Sequence, residues 1–313
     1  MKIQILLSTY NGGSYLRTQM DSILAQTVKN DLSLLIRDDG STDDTEEIIR
    51  GYQEGCPWIS YYKGRNIGVQ RSFFELLANS DGDADYIAFA DQDDEWLPEK
   101  LERAVERLQK METEFSEGTP LLYCSDKLIV GKDLEELHVT VSRPVRKISF
   151  GNALVQDICT GCTAVINRAM AELLKKYPPK HVEDIVMHDW WLYLTASCFG
   201  AVYYDKNAYI RYRQHGNNTS GAMLNRRELL KYRLRELRKP RGEIYRQTEA
   251  FLETYRELLG VDEMREKREM AERLIGAGKG FFRRLLVAAD RRYFRQRHGD
   301  DVVFRGILLV GKL

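Results

Sequence analysis

Over the first 130 residues, short β-branched or apolar runs alternate with segments whose apolar residues recur at helical spacing, and few folds accommodate that alternation. Strands are expected at 3–8, 32–37, 59–63, 86–90 and 121–125, with helices at 14–26, 43–53, 69–78 and 98–110. The pattern is that of a doubly wound α/β unit, a mainly parallel sheet flanked by helices. In such sheets ligands lie beyond the carboxyl ends of the strands, so chemistry is sought in the residues that follow each strand. Those positions hold Thr9-Tyr10-Asn11-Gly12, Asp38-Asp39-Gly40-Ser41, Gly64-Arg65-Asn66-Ile67-Gly68 and Asp91-Gln92-Asp93-Asp94. Residues 131–220 are mixed, with a helix expected at 189–197 and strands near 201–204 and 208–212. From Leu224 to about Arg297 the pattern is helical and charged.

Charge divides the chain where the whole-chain balance, 47 basic against 47 acidic residues, does not. Residues 221–313 hold 23 Lys/Arg against 14 Asp/Glu, and residues 1–220 hold 24 against 33. Two parts with different jobs follow: a domain over 1–220 and a basic helical extension over 221–313. The acidic larger part argues against nucleic acid as a partner. The opening residues read as a first strand and not as a secretory leader. No run approaches the roughly 20 apolar residues of a bilayer span. Five scattered cysteines suit reduced thiols in a cytoplasmic protein, and Cys159-Thr-Gly-Cys162 reads as small buried residues around a loop.

The acidic turn Asp91-Gln92-Asp93-Asp94 crowds like charges after an apolar strand, and a divalent cation relieves such crowding. Hard oxygen donors suit Mg²⁺ or Mn²⁺ with a diphosphate completing the shell. The alternative is capping, with Asp94 and Glu95 opening the helix near Pro98. Ser41, Thr42 and Asp43 read as caps of the next helix, which leaves Asp38 and Asp39 at the strand end, where a carboxylate can accept the ring N–H of uracil or thymine. The first strand–helix turn has neither the glycines of a dinucleotide fingerprint nor a Walker lysine.

Taken in order, Ser8-Thr9-Tyr10-Asn11, Asp38-Asp39-Gly40-Ser41-Thr42-Asp43, Asn66-x-Gly68 and Asp91-x-Asp93 resemble family 2 glycosyltransferases of the GT-A fold. His188-Asp189-Trp190-Trp191-Leu192 and Tyr212-Arg213-Gln214-His215-Gly216-Asn217-Asn218 resemble the second half of bacterial rhamnosyltransferases in that family. The resemblance covers about residues 1–220, implies a nucleotide-binding half at 1–130 and an acceptor and catalytic half at 131–220, and implies an inverting transfer from a nucleotide diphosphate sugar, L-rhamnose from dTDP-rhamnose, to a hydroxyl of a lipid-linked bacterial surface glycan. A UDP-hexose donor is the alternative within the class, and an inactive carbohydrate-binding scaffold is the alternative outside it. By the same resemblance Thr9, Tyr10, Asn11, Asp38, Asp39, Asn66, Asp91 and Gln92 bind the nucleotide sugar. Asp93, His215 and Asp91 hold Mn²⁺ or Mg²⁺. Asp189 is the catalytic base, with Glu183-Asp184 as a competing acidic pair, and Trp190 and Trp191 form an acceptor platform. Outside the resemblance, Arg283, Arg284, Arg291, Arg292, Arg295 and Arg297 alternate with Phe281, Phe282, Leu285, Leu286, Tyr293 and Phe294. That spacing suits an amphipathic helix on an anionic membrane surface, which would make the protein peripheral on the inner face of the cell membrane. A homodimer contact is the other reading of the same segment.

Overall fold

The computed structural model describes residues 1–28, 31–137, 143–215 and 242–313. The chain forms two compact units, one of residues 1–141, 159–176 and 199–221, the other of residues 142–158, 177–198 and 222–313. The second unit therefore joins the C-terminal helices to two segments that precede residue 221.

The first unit runs β1 (Ile3–Thr9), α1 (Leu16–Leu24), β2 (Leu32–Asp38), α2 (Thr45–Gly55), β3 (Ile59–Lys63), α3 (Val69–Ala78), β4 (Tyr86–Ala90), β5 (Glu95–Trp96), α4 (Lys100–Glu114) and β6 (Leu121–Val130). It continues with β7 (Val165–Asn167), α6 (Arg168–Lys176) and β8 (Ala201–Arg213). The sheet order is β3-β2-β1-β4-β7-β6-β8-β5. β1 pairs in parallel with β2 and β4, β2 with β3, and β6 with β8, whereas β7 is antiparallel to both its neighbours and β5 to β8. Every residue of β4 is buried, which explains why its sequence is a continuous apolar run with no alternation. Ile3, Ile5 and Leu7 share one core with Leu16, Met20 and Ile23 of α1 and with Leu101, Ala104 and Leu108 of α4. Phe89 lies outside that cluster and meets the edge of the Phe73 ring of α3 at 5.9 Å.

Two local expectations change. The runs at 201–204 and 208–212 are one 13-residue strand, because register shifts opposite Ser125–Leu128 absorb the polar interruption Asp205-Lys206-Asn207. There Asp205 Oδ1 accepts from the Asn207 backbone N–H at 2.9 Å. The helix expected at 98–110 begins at Lys100, and neither Asp94 nor Glu95 caps it. Glu95 instead lies in β5 opposite Arg211.

The second unit holds the short α5 (Phe150–Ala153), α7 (His188–Phe199), α8 (Glu243–Thr254), α9 (Arg256–Leu259), α10 (Arg265–Ala277), α11 (Phe281–Ala289) and α12 (His298–Leu309). Its core gathers Trp191, Phe251 and Tyr255, with the Trp191 ring 5.5 Å from Phe251 and 6.0 Å from Tyr255. A buried amide organises the rest. Asn152 Oδ1 accepts from the Tyr193 hydroxyl at 2.7 Å and from Gln296 Nε2 at 2.9 Å, while its Nδ2 donates to the Phe294 carbonyl at 2.9 Å. The segment from Phe281 to Arg297 is not one helix: α11 ends at Ala289, and Tyr293 is buried with its hydroxyl donating to the Met270 carbonyl at 2.6 Å. Residues 216–241, which include Gly216-Asn217-Asn218 of the second motif, lie outside the described residues.

Candidate active site

The loops after β1, β2 and β4 meet at one edge of the first unit, and side chains from each hold the others. After β1, the Thr9 hydroxyl donates to Gln92 Oε1 at 2.6 Å and the Tyr10 N–H to the same oxygen at 2.7 Å. Gln92 Nε2 returns a bond to the Tyr10 carbonyl at 3.2 Å. A single amide thus straps the first loop to the acidic turn. A Cβ on Gly12 would stand 2.5 Å from Gln92 Oε1 and 2.7 Å from Thr9 Oγ1, so a larger residue there would displace the strap. Asn11 takes a left-handed conformation, φ 49°, with its N–H on Ser41 Oγ at 2.8 Å and its Oδ1 accepting the Thr42 N–H at 2.9 Å. Tyr10 is exposed, as is Asn66.

Both carboxylates after β2 are buried and already engaged. Asp38 accepts the Ser41 N–H at 2.7 Å and the Tyr61 hydroxyl at 3.3 Å. Asp39 accepts the Ile67 and Gly68 N–H groups at 2.8 and 2.9 Å and pairs with the buried Arg37 guanidinium at 2.6 Å. Gly40, at φ +88°, lets the turn pass Asn66, whose backbone nitrogen would lie 3.1 Å from a Cβ there.

After β4 the acidic turn meets the end of β8. His215 Nε2 stands 2.8 Å from Asp93 Oδ2, and the imidazole stacks on Tyr15 with ring centres 4.7 Å apart. Arg213 fixes the turn from the same strand: its Nε donates to the Asp93 carbonyl at 2.7 Å, its N–H to Asp94 Oδ1 at 3.1 Å, and its guanidinium lies 4.9 Å from the Tyr15 ring centre. Asp94 is fully buried, and burial together with the charge of Asp93 pushes its carboxyl up to about 7. Asp91, Asp94 and Cys162 can each bring a ligand atom within 4.8 Å of the others. Burial and the neighbouring carboxylates push the Cys162 thiol well up, which makes it a poor ligand for a hard cation. Lys127 stands close by, with Nζ 2.7 Å from Thr160 Oγ1 and 4.3 Å from the Tyr212 ring centre.

This set fits a divalent cation. The Asp93 carboxylate stands 2.8 Å from an imidazole nitrogen with Asp91 and Asp94 on the same turn, and the burial and like charge that push the Asp94 carboxyl up are the crowding that a cation would relieve. Of the expected ligands, the structure brings Asp93 and His215 together and sets Asp91 among Asp94 and Cys162. Arg213 was visible in the second motif but had no assigned role. Nothing in the sequence singled out Tyr15, because stacking on a residue 200 positions away leaves no local pattern.

In the second unit, Asp189 sits in the first turn of α7, almost buried, and Asp189 Oδ1 accepts the Trp190 N–H at 2.8 Å. The Trp190 indole donates to the Ala153 carbonyl at 2.6 Å and keeps part of its ring exposed. Trp191 differs from its expected role: fully buried in the aromatic core, it has no surface for an acceptor. Asp184 pairs with Arg246 at 3.5 Å.

The model of the glycosyl transferase family 2 matches residues 4–174, which span both the strapped loops and the acidic turn. The chain belongs to that family. This glycosyltransferase is 31% identical over 230 residues to the dTDP-rhamnosyl transferase RfbG of Shigella flexneri, a match over 69% of this chain and 74% of the relative. An uncharacterized glycosyltransferase of Rickettsia typhi is 27% identical over 231 residues, covering 72% of this chain and 68% of that one. Among solved structures, S. aureus TarS 1-349 in complex with UDP-GlcNAc aligns with a TM-score of 0.57 at 15% identity, over 99% of this chain and 91% of that chain. At that identity the likeness establishes the GT-A fold and nothing finer. The transferase class and the mainly parallel sheet with C-terminal helices follow as expected from the motifs.

Proposed function

We propose that this family 2 glycosyltransferase is an inverting, divalent-metal-dependent enzyme that moves L-rhamnose from dTDP-rhamnose to a hydroxyl of a lipid-linked bacterial surface glycan. The observation that carries the metal-dependent reading is the Asp93–His215 pair at 2.8 Å beside the acidic turn. The likeness to RfbG supports the donor. Thr9, Tyr10, Asn11, Asp38, Asp39, Asn66, Asp91 and Gln92 form the nucleotide-sugar site, with the exposed Tyr10 and Asn66 free to touch the nucleotide and the buried Asp38 and Asp39 shaping the loops around it. Asp93, His215 and Asp91 would hold Mn²⁺ or Mg²⁺, which when bound neutralises the charge of the departing diphosphate.

Asp189 is the base in this reading. Its carboxylate takes the proton of the acceptor hydroxyl as that oxygen bonds to the anomeric carbon, and the bond from that carbon to the diphosphate breaks with its electron pair leaving on the diphosphate. Attack opposite the leaving group inverts the centre. Trp190 offers the part of its ring that remains exposed to the acceptor sugar. A lipid-linked acceptor places the protein in the cytoplasm, peripheral on the inner face of the membrane, and among the described residues no helix is long and apolar enough to cross one.

A panel of dTDP-rhamnose, other dTDP sugars and UDP-hexoses, each incubated with Mn²⁺, Mg²⁺ or chelator, tests this. The expected result is metal-dependent turnover fastest with dTDP-rhamnose. Preference for a UDP-hexose would move the donor to the alternative reading, and binding without turnover of any donor would make the chain a carbohydrate-binding scaffold.

A further inference from the structure

α11 turns its apolar side away from its own unit. Phe281, Phe282, Leu285 and Leu286 are all exposed, Phe282 by 80% and Leu286 by 65%, while Val287 is the helix's fully buried residue. With Ala289, these residues fall on one side at helical spacing and form a continuous stripe. α12 lies antiparallel beside it, since Arg305 donates to the Ala288 carbonyl and the Arg284 guanidinium fills the space next to Gly311. This second helix buries Phe304 and Leu308 and exposes Val302 by 70%, and Val310, just past its C-terminal end, is exposed by 66%. Helices between a core and water carry polar residues outside, so two adjacent helices that expose apolar residues mark an interaction face.

The charges around this face indicate what covers it. Residues 279–313 carry nine Lys/Arg against three Asp/Glu. Some of these cations are spent internally: Arg292 pairs with Asp290 at 2.7 Å and Glu266 at 3.0 Å, and Arg305 pairs with Asp301 at 3.5 Å. Lys279, Arg283 and Arg291 are exposed and have no carboxylate partner among the described residues. Lys279 precedes α11, Arg283 flanks its apolar stripe and Arg291 follows it.

We propose that α11 and α12 form one docking face for an anionic lipid surface, with Phe281, Phe282, Leu285, Leu286, Val302 and Val310 entering the acyl boundary and Lys279, Arg283 and Arg291 meeting headgroup phosphates. An apolar stripe rimmed by unneutralised cations matches hydrocarbon and anionic headgroups together. A second copy stacked on the same face would bring those cations against one another. The inference deepens the peripheral-membrane part of the proposed function but rests on these two helices, so vesicle binding and sugar transfer can fail separately.

Co-sedimentation of the full chain with vesicles tests it, using phosphatidylcholine alone and phosphatidylcholine mixed with phosphatidylglycerol. Wild type should sediment with the anionic vesicles at least about tenfold better than with the neutral ones, and high salt should weaken that preference. The pair Phe282→Asp and Leu286→Asp should lose binding by about tenfold or more, with circular dichroism and turnover of the best donor on a soluble acceptor unchanged. The triple change of Lys279, Arg283 and Arg291 to Glu should remove the anionic preference. Sedimentation of both variants at the wild-type level would overturn the proposal. So would a lipid-free dimer that the Asp pair converts to monomer while no form binds vesicles, since the face would then join two copies. Vesicle binding by a protein that turns over no donor would support the docking face while the transferase reading failed.

Discussion

His215 Nε2 and Asp93 Oδ2 stand 2.8 Å apart although 122 residues separate them in the chain. The pairing of β5 with β8 produces this approach, because Glu95 and Arg211 lie opposite each other and carry the residues on either side into register. Arg213 then holds the Asp93 carbonyl, and Tyr15 supports the imidazole from its face.

From that pair we expect Asp93→Asn to weaken metal-dependent donor binding by about 10- to 100-fold, and His215→Gln to weaken it by a smaller factor in the same direction. Calorimetric titration of the nucleotide with and without Mn²⁺ reads both effects, and chelator should erase the difference between variants and wild type. Unchanged affinity in Asp93→Asn with Mn²⁺ present would remove Asp93 from the metal site.

A base acts on the acceptor in the transition state and leaves the bound donor alone. Asp189→Asn should therefore cut transfer by about 10²-fold or more with donor affinity nearly constant. Asp184, paired at its edge with Arg246, should tolerate Asn within a few-fold. The reverse outcome, a dead Asp184→Asn beside an active Asp189→Asn, would assign the base to the acidic pair Glu183-Asp184.

Asp39 is predicted to act on stability before it acts on donor binding. It pairs with Arg37 at 2.6 Å, and both side chains are almost wholly buried. Asp39→Asn removes the buried carboxylate of that pair and leaves the guanidinium only the partly exposed Glu75, 3.1 Å from Nε, a cost of about 3 kcal/mol, the lower end for breaking a buried pair, that thermal unfolding should register as a fall in Tm. Asn66→Ala, at an exposed position, should leave Tm within a degree or two (about 0.5 kcal/mol). A weakened donor affinity in Asp39→Asn at unchanged Tm would make Asp39 a direct base contact instead.

Lys100 gives a pH signature. Its amine is fully buried over the Trp96 ring, 3.6 Å from the centroid, and burial lowers its pKa to about 7. An unfolded lysine holds its proton to about 10.4. Between those values the unfolded chain binds one proton more than the folded one, so this residue makes stability rise with pH, at about 1.4 kcal/mol per unit at most. Below pH 7 the contribution is flat. Lys100→Met should fold with equal or greater stability at pH 7 and lose the increment from pH 7 to 9 in denaturant titrations. An identical slope in the variant would show that Lys100 stays charged in the folded protein.

Local sequence carried much of the first unit. The strands at 59–63 and 86–90 and the helix at 69–78 appear with the boundaries the periodicity gave them, because each depends on an apolar face that contiguous residues already encode. The acidic turn and the β1 and β2 loops were legible for a similar reason, since turn chemistry and clustered charge are short-range properties. The runs expected as two strands within 201–213 are one, because the polar break is a bulge in β8 itself and only the pairing with β6 on both sides of it carries the strand through.

What the amino-acid order settled by itself was the α/β class, the family and the loops that bear its motifs. Long-range pairing decided the rest. Whether Trp191 faced an acceptor or a core turned on Phe251 and Tyr255, some sixty residues further along the chain. Asp39 reads as a nucleotide contact in the sequence, and only the fold shows that its carboxylate also holds Arg37 and the Ile67 and Gly68 amides. Nothing in the spacing of Phe281, Phe282, Leu285 and Leu286 said which way they point. Their exposure was fixed by Val287, Tyr293, Phe304 and Leu308 taking the interior positions of the same unit, and burial of one helix face leaves the opposite face for whatever lies outside.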